Sequence, residues 1–143
     1  MATNDRPRPE DLTETEREAL HEIELCVERL HRAHGHLVGF HHDTGRAMDH
    51  LAVAEERLRD CGRNDLADAI RDEHLPRGVV RVGDPGEKTA GRWSYDVLED
   101  FQESFLADLL AFEEAAREEV AGGLRHAAER TLEREWNRRA RRD

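Results

Sequence analysis

The sequence predicts an all-α fold: a long antiparallel helical hairpin with a short extra helix, completed to a bundle by dimerisation. Three observations carry that expectation. Apolar residues recur every seven positions at Ile23, Leu30, Leu37, Thr44, Leu51 and Leu58, and a second row follows three positions behind, at Cys26, Ala33, Phe40, Ala47, Ala54 and Cys61. Two such rows form one narrow seam along an α-helix. A second apolar series returns at helical spacing later in the chain, at Leu98, Phe101, Phe105, Leu109, Phe112, Ala116, Val120, Leu124 and then Trp136. Between the two series only Val79, Val80 and Val82 suggest extended chain, and one short piece does not make a sheet. The 143 residues suit a single helical domain.

In chain order, residues 1–10 combine Asn4, Pro7 and Pro9 with charge and no apolar pattern, so a mobile tail is expected. Thr13 followed by Glu16 fits a capping box, which starts helix one. That helix is expected over Thr13 to Cys61, because the phase of the seam does not slip at Gly35, Gly39 or Gly45. Each interior glycine costs about 1 kcal/mol against alanine, so the three are tolerated for packing or function, or the helix bends or breaks there. Two helices joined near Gly39 are the alternative.

Gly62 offers a stop, and Asn64 can cap a short helix carrying Leu66, Ala69 and Ile70 until Leu75-Pro76 ends it. Residues 62–93 read as a connector containing that short helix. Within it, Gly83-Asp-Pro-Gly86-Glu-Lys-Thr89 has the glycines and lysine of a phosphate-binding loop but fails on spacing. That motif needs four residues between its glycines and lysine directly after the second, whereas here two intervene and Glu87 displaces Lys88. A turn is expected instead. The second long helix starts near Ser94, with Gly122-Gly123 placed to kink it or divide it in two. Its aromatic row is expected in the core. One hairpin would leave Leu25, Val38 and Val53 outside the seam, so self-association into a four-helix dimer is expected; a monomer with its short and C-terminal helices folded back is the competing packing.

Composition narrows the function classes. No apolar run approaches the roughly 20 residues of a membrane span, and the start lacks a signal peptide, so a soluble cytoplasmic protein without membrane contact is expected. Charged residues make up 38% of the chain and aromatics 5%, a disorder-prone balance that only the regular apolar spacing overrides. All but one of the 22 basic residues are arginine, the exception being Lys88, and the net charge is −11. With this arginine bias, the segment His31-Arg-Ala-His-Gly-His-Leu-Val, Phe40-His-His and the later Arg92-Trp-Ser-Tyr, the chain resembles small acidic proteins of haloarchaea. The resemblance implies a high-salt cytoplasm that screens carboxylate repulsion, and it implies no activity. Acidity then reflects habitat rather than a cationic partner. The arginines between Arg134 and Asp143 are interrupted by Glu135 and suit the dipole at a helix C-terminus, so nucleic acid is not an expected partner. Cys26 and Cys61 lie about 52 Å apart along one helix and cannot pair within it. Buried reduced thiols are expected.

Six of the nine histidines fall between His31 and His50. On the seam register His34 and His41 lie beside it, His36 and His50 on its other border, and His42 points outward. Half-buried histidines that bond a carboxylate and serve helix pairing are one reading; ligands to a metal or haem are a second, and acid–base catalysis is a third. Residues seven apart lie about 10 Å apart and cannot hold one ion, so His34 with His41 is excluded as a chelate, whereas His31 and His34 can converge. Glu28 with His31, and Glu18 with His21, give the Glu-x-x-His spacing of carboxylate-bridged metal bundles. Both copies fall on one helix, which disfavours a ferritin-like oxidase, and no nucleophilic triad stands out. Pairing Cys61 with Ser94 across the hairpin sets His31 and His34 level with Gly122-Gly123, where Glu119 and His126 supply the third and fourth ligands of a site for zinc, iron or nickel. The expected function is therefore a non-catalytic helical interaction or oligomerisation module, homo-oligomeric or with a protein partner. A transition-metal or haem-binding helical bundle with His and Glu ligands, including an enzyme of that kind, is the alternative.

Overall fold

Helix α1 runs unbroken over Glu14–Asp60 in the computed structural model, which describes residues 8–82 and 91–141. Its start is the expected capping box. The Thr13 amide donates to Glu16 Oε1 at 2.9 Å, and the Glu16 amide donates to Thr13 Oγ1 at 3.1 Å, so two amides that the first turn leaves without helical partners are satisfied. Gly35, Gly39 and Gly45 stay helical, and a Cβ built at any of them would meet open space. No close approach demands these glycines; the continuous covered face carries the helix through them. The helix ends where Gly62 takes φ 79° and the Arg63 amide donates to the Leu58 carbonyl at 2.8 Å, the C-terminal closure that a left-handed glycine permits.

The covered face of α1 keeps one expected row and exchanges the other. Ile23, Leu30, Leu37, Thr44, Leu51 and Leu58 are partly covered, but their companions are Leu20, Val27, His34, His41, Met48 and Glu55. Cys26, Phe40, Ala47 and Cys61 are exposed, and both thiols are free, so the expected burial of the cysteines is corrected. A seven-residue row can be completed into a stripe from either side. The more uniformly apolar side was the natural choice from sequence. The fold uses the side whose two histidines find hydrogen-bond partners on another helix.

The chain divides into two compact units. The unit Ala33–Glu103 holds the C-terminal part of α1, α2 (Asn64–Ala69) continued by a π-helical turn (Ile70–His74), and α3 (Ser94–Phe101). Ala67 and Ile70 are buried, and the Arg59 guanidinium bridges Glu55 and Asp68 at 3.1 and 2.9 Å. The valine run becomes a clip: Val80 and Arg92 form a single antiparallel bridge, with Val80 N–H to Arg92 O at 3.0 Å and Arg92 N–H to Val80 O at 2.7 Å. Gly91 is required there because a Cβ would strike the Val80 carbonyl. The turn expected at 83–89 lies outside the described residues. The hydroxyl of Ser94 meets His41, not the level of Cys61, because the connector travels back along α1 before the Val80–Arg92 bridge leads into α3.

The unit Met1–Arg32 with Ser104–Asp143 holds the N-terminal part of α1, a 3-10 turn (Pro9–Asp11), α4 (Ala107–Ala121) and α5 (Ala127–Arg139). Leu12, Leu20, Ala121 and Ala127 form its core, with Ala116, Val120 and Leu124 packed against them. Of the expected mobile tail, residues 1–7 lie outside the described residues. From Arg8 onward the chain is anchored: Pro9 is fully buried, Arg17 Nη1 donates to the carbonyls of Leu12 and Pro9, and Asp11 accepts from the Arg8 amide. The second long helix is divided at Gly122-Gly123, where both residues adopt positive φ. Upstream of α4 a π-helical turn, Gln102–Leu106, adds a residue to one turn and rotates the stripe that follows. Leu106 is buried in place of Phe105, and Phe112, expected in the core, is 57% exposed.

Candidate metal centre

His21 and Glu24 stand three apart on α1 and therefore share a face. His126 and Glu129 repeat the same spacing at the start of α5. The turn through Gly122 and Gly123 delivers this second pair, and His126 itself takes φ 57° and ψ 43°, the only positive φ outside glycine among the described residues. Histidine tolerates the left-handed region better than most side chains. What holds it there is Glu24, whose Oε1 accepts the His126 amide at 3.1 Å.

The two pairs cross. Glu129 Oε1 lies 3.0 Å from His21 Nδ1, and Glu24 Oε2 lies 3.9 Å from His126 Nδ1. Glu24 is the most enclosed, its side chain 19% exposed, against 37% for His21 and 48% for Glu129. His21 Nδ1 is shut off from solvent yet makes no hydrogen bond, because the nearby carboxylate oxygen is close but out of line. One donor atom from each of His21, Glu24 and Glu129 falls within 4.8 Å of the others. The cluster lines a groove of about 550 Å³ walled by Leu25, Val27 and Leu110. In the same groove Arg117, a buried guanidinium, is neutralised by Glu113 at 2.6 Å.

The ligands expected from sequence are distributed differently. His126 contacts Glu24, and His31 lines the groove. His34 is taken up elsewhere: the Gln102 amide nitrogen donates to its Nε2 at 2.6 Å, and its ring stacks on Phe101 with centroids 6.4 Å apart. Glu119 is exposed on α4. Pairing Cys61 with Ser94 sets His126 level with Arg29, whereas it meets Glu24. His41 is also engaged, its Nδ1 2.7 Å from the hydroxyl of buried Ser94. His36, His42 and His50 are exposed.

Sequence reasoning noticed His21 only through Glu18, on the wrong side of the histidine. The informative signal was the order His-x-x-Glu, present once on each of two helices, at His21 with Glu24 and at His126 with Glu129. Two imidazoles and two carboxylates at this spacing can bind a divalent cation, or form ion pairs when the imidazoles are protonated. Comparison with protein-family models, with curated proteins and with solved structures finds no match.

Proposed function

We propose that the protein is a non-catalytic helical interaction module that completes its apolar core by pairing with a second copy of itself. The observation that carries this reading is the thinness of the core. Among the described residues, the buried apolar side chains are Pro9, Leu12, Leu20, Ala67, Ile70, Leu106, Ala121 and Ala127, three of them alanine. Meanwhile Phe112, Leu132, Trp136, Tyr95, Leu66 and Val53 each keep between 45% and 61% of their surface in water. Fully covering a side chain of this size stabilises by about 1.5 to 3 kcal/mol, so pairing has a large driving force to draw on.

The form of the exposed surface favours a second copy over an unlike partner. Leu132 and Trp136 make an exposed ridge four residues apart on α5, and two such ridges laid antiparallel cover one another, the self-matching arrangement that two-fold symmetry requires. The acidic chain as a whole opposes association, and salt removes that opposition. No helix among the described residues is long and apolar enough to cross a membrane, so exposed apolar surface here does not mark a span. Light scattering coupled to size-exclusion chromatography in 2 M potassium chloride should report twice the monomer mass. Leu132→Glu with Trp136→Glu should return the mass to monomer with unchanged helix content by circular dichroism. A monomeric wild type across micromolar to millimolar concentration overturns the reading.

A further inference from the structure

We propose that His21, Glu24 and Glu129 form a binding site for a divalent first-row transition metal of the zinc class, with His126 closing the coordination shell. The inference stands apart from self-association and rests on three features of the unit that holds α4 and α5. First, the four side chains come as two His-x-x-Glu pairs on α1 and α5 that cross, His21 to Glu129 and Glu24 to His126. That brings nitrogen and oxygen donors from both helices together, with His126 at the edge, its Nδ1 3.9 Å from Glu24 Oε2 and outside the closest three. Second, the donor atoms of His21, Glu24 and Glu129 already lie within 4.8 Å of each other. Donors about 2.0 to 2.2 Å from a tetrahedral ion stand about 3.4 Å apart, so binding requires an inward shift of roughly 1 Å. Glu129, on the first turn of α5 and half exposed, can supply it by changing rotamer.

Third, His21 Nδ1 is enclosed without a hydrogen-bond partner although a carboxylate oxygen sits 3.0 Å away. Buried polar atoms are nearly always satisfied, and a bound ion is one way in which an enclosed nitrogen gains a partner. A cation between Glu24 and Glu129 also removes the repulsion between two carboxylates held together in a partly covered groove. Imidazole together with carboxylate favours zinc, iron or nickel over calcium and magnesium, which prefer oxygen alone. The Glu24 oxygen that accepts the His126 amide orients its carboxylate, a second bond of the kind that fixes ligand geometry.

Zinc chloride is the probe, titrated calorimetrically into untagged, metal-stripped full-length protein. One zinc per chain is expected, with a higher melting temperature. Glu129→Gln and His21→Gln should each weaken binding at least tenfold, and His126→Ala by a smaller factor. Both Glu129→Gln and His126→Ala change exposed side chains, so they should leave the fold intact by circular dichroism. His36→Ala and His42→Ala, also exposed, should bind zinc as wild type does, and so should Cys26→Ser. X-ray absorption at the zinc edge should show nitrogen and oxygen ligands only. Absence of stoichiometric zinc, undiminished affinity in Glu129→Gln, loss of binding in His36→Ala or His42→Ala, or sulfur in the shell would each overturn the site while leaving the pairing test untouched.

Discussion

In the unit Ala33–Glu103, His34 and His41 face neutral partners, the amide of Gln102 and the hydroxyl of Ser94. In the unit Met1–Arg32 with Ser104–Asp143, His21 and His126 face the carboxylates Glu129 and Glu24. The same side chain, on or beside the same helix, thus answers two different needs. A neutral partner fixes the ring's orientation and leaves no net electrostatic demand, which is how a polar residue is accommodated on a covered face. Carboxylate partners leave charge that a proton or a cation can satisfy. Histidine count alone pointed to the dense cluster between residues 31 and 50, whereas partner chemistry points to the sparse pair, His21 and His126.

The strongest way to break that contrast is to compare alanine substitutions in the two places. His41→Ala strips the partner from buried Ser94 and opens space on the covered face, and should destabilise by about 2 kcal/mol. Ser94→Ala in the same background should cost less than in wild type, since the interaction is already gone. His21→Ala removes a half-exposed contact and should cost under about 1 kcal/mol in the absence of metal. Urea denaturation of His41→Ala, Ser94→Ala, their double variant and His21→Ala measures all of this. Equal penalties at His41 and His21 would erase the distinction between the two regions.

Much of the fold could be read from the seven-residue spacing, because a continuous row from Ile23 to Leu58 identifies a helix whatever packs on it. The length of α1, its capping box and the break at Gly122-Gly123 all followed from local chemistry. The second row did not, because Cys26, Ala33 and Phe40 are the more apolar choice and only a partner helix reveals that His34 and His41 can be satisfied. The π-helical turn at Gln102–Leu106 was also beyond reach, since a fixed period of 3.6 residues cannot anticipate an extra one. The four expected ligands do not all meet for a related reason. Their register rests on pairing Cys61 with Ser94, whereas Ser94 meets His41; at the groove itself the shift is about five residues, His126 facing Glu24 rather than Arg29.

Salt sharpens the comparison with a smaller effect. Thirty-three acidic residues against twenty-two basic ones leave a net charge of −11, so potassium chloride should raise the melting temperature of the whole chain by screening long-range repulsion. Within that rise the two regions should separate. The penalty of His21→Ala should shrink as salt screens its contact with Glu129, while the penalty of His41→Ala, which involves no charge on Ser94, should stay constant. Melting curves of both variants from 0.1 to 3 M salt test this, and parallel responses would place both histidines in the same electrostatic class.

The smallest expected effect isolates a carboxylate that has a purely local partner, in contrast to Glu24 and Glu129. The Thr13 amide and, secondarily, the Thr13 hydroxyl hold the Glu16 carboxyl below the usual carboxylate range. A carboxyl whose folded pKa is depressed contributes stability that is present above its unfolded pKa and lost as pH falls through the folded value. Thr13→Ala removes the hydroxyl that accepts the Glu16 amide and should cost about 1 kcal/mol near pH 7, the usual penalty for losing a helix cap. It should also flatten the acid limb of the stability profile between about pH 5 and pH 3, but only in part, because the Thr13 amide, the larger cause, still holds the Glu16 carboxyl down. Glu16→Gln keeps the side-chain acceptor for the Thr13 amide but cannot titrate, so it should flatten the same limb with a smaller loss at neutral pH. Urea denaturation of wild type and both variants at pH 7, 5 and 3 measures the effect. An acid limb unchanged in Glu16→Gln would show that the local cap carries no proton linkage, and that the acid sensitivity of α1 comes from carboxylates farther along the helix.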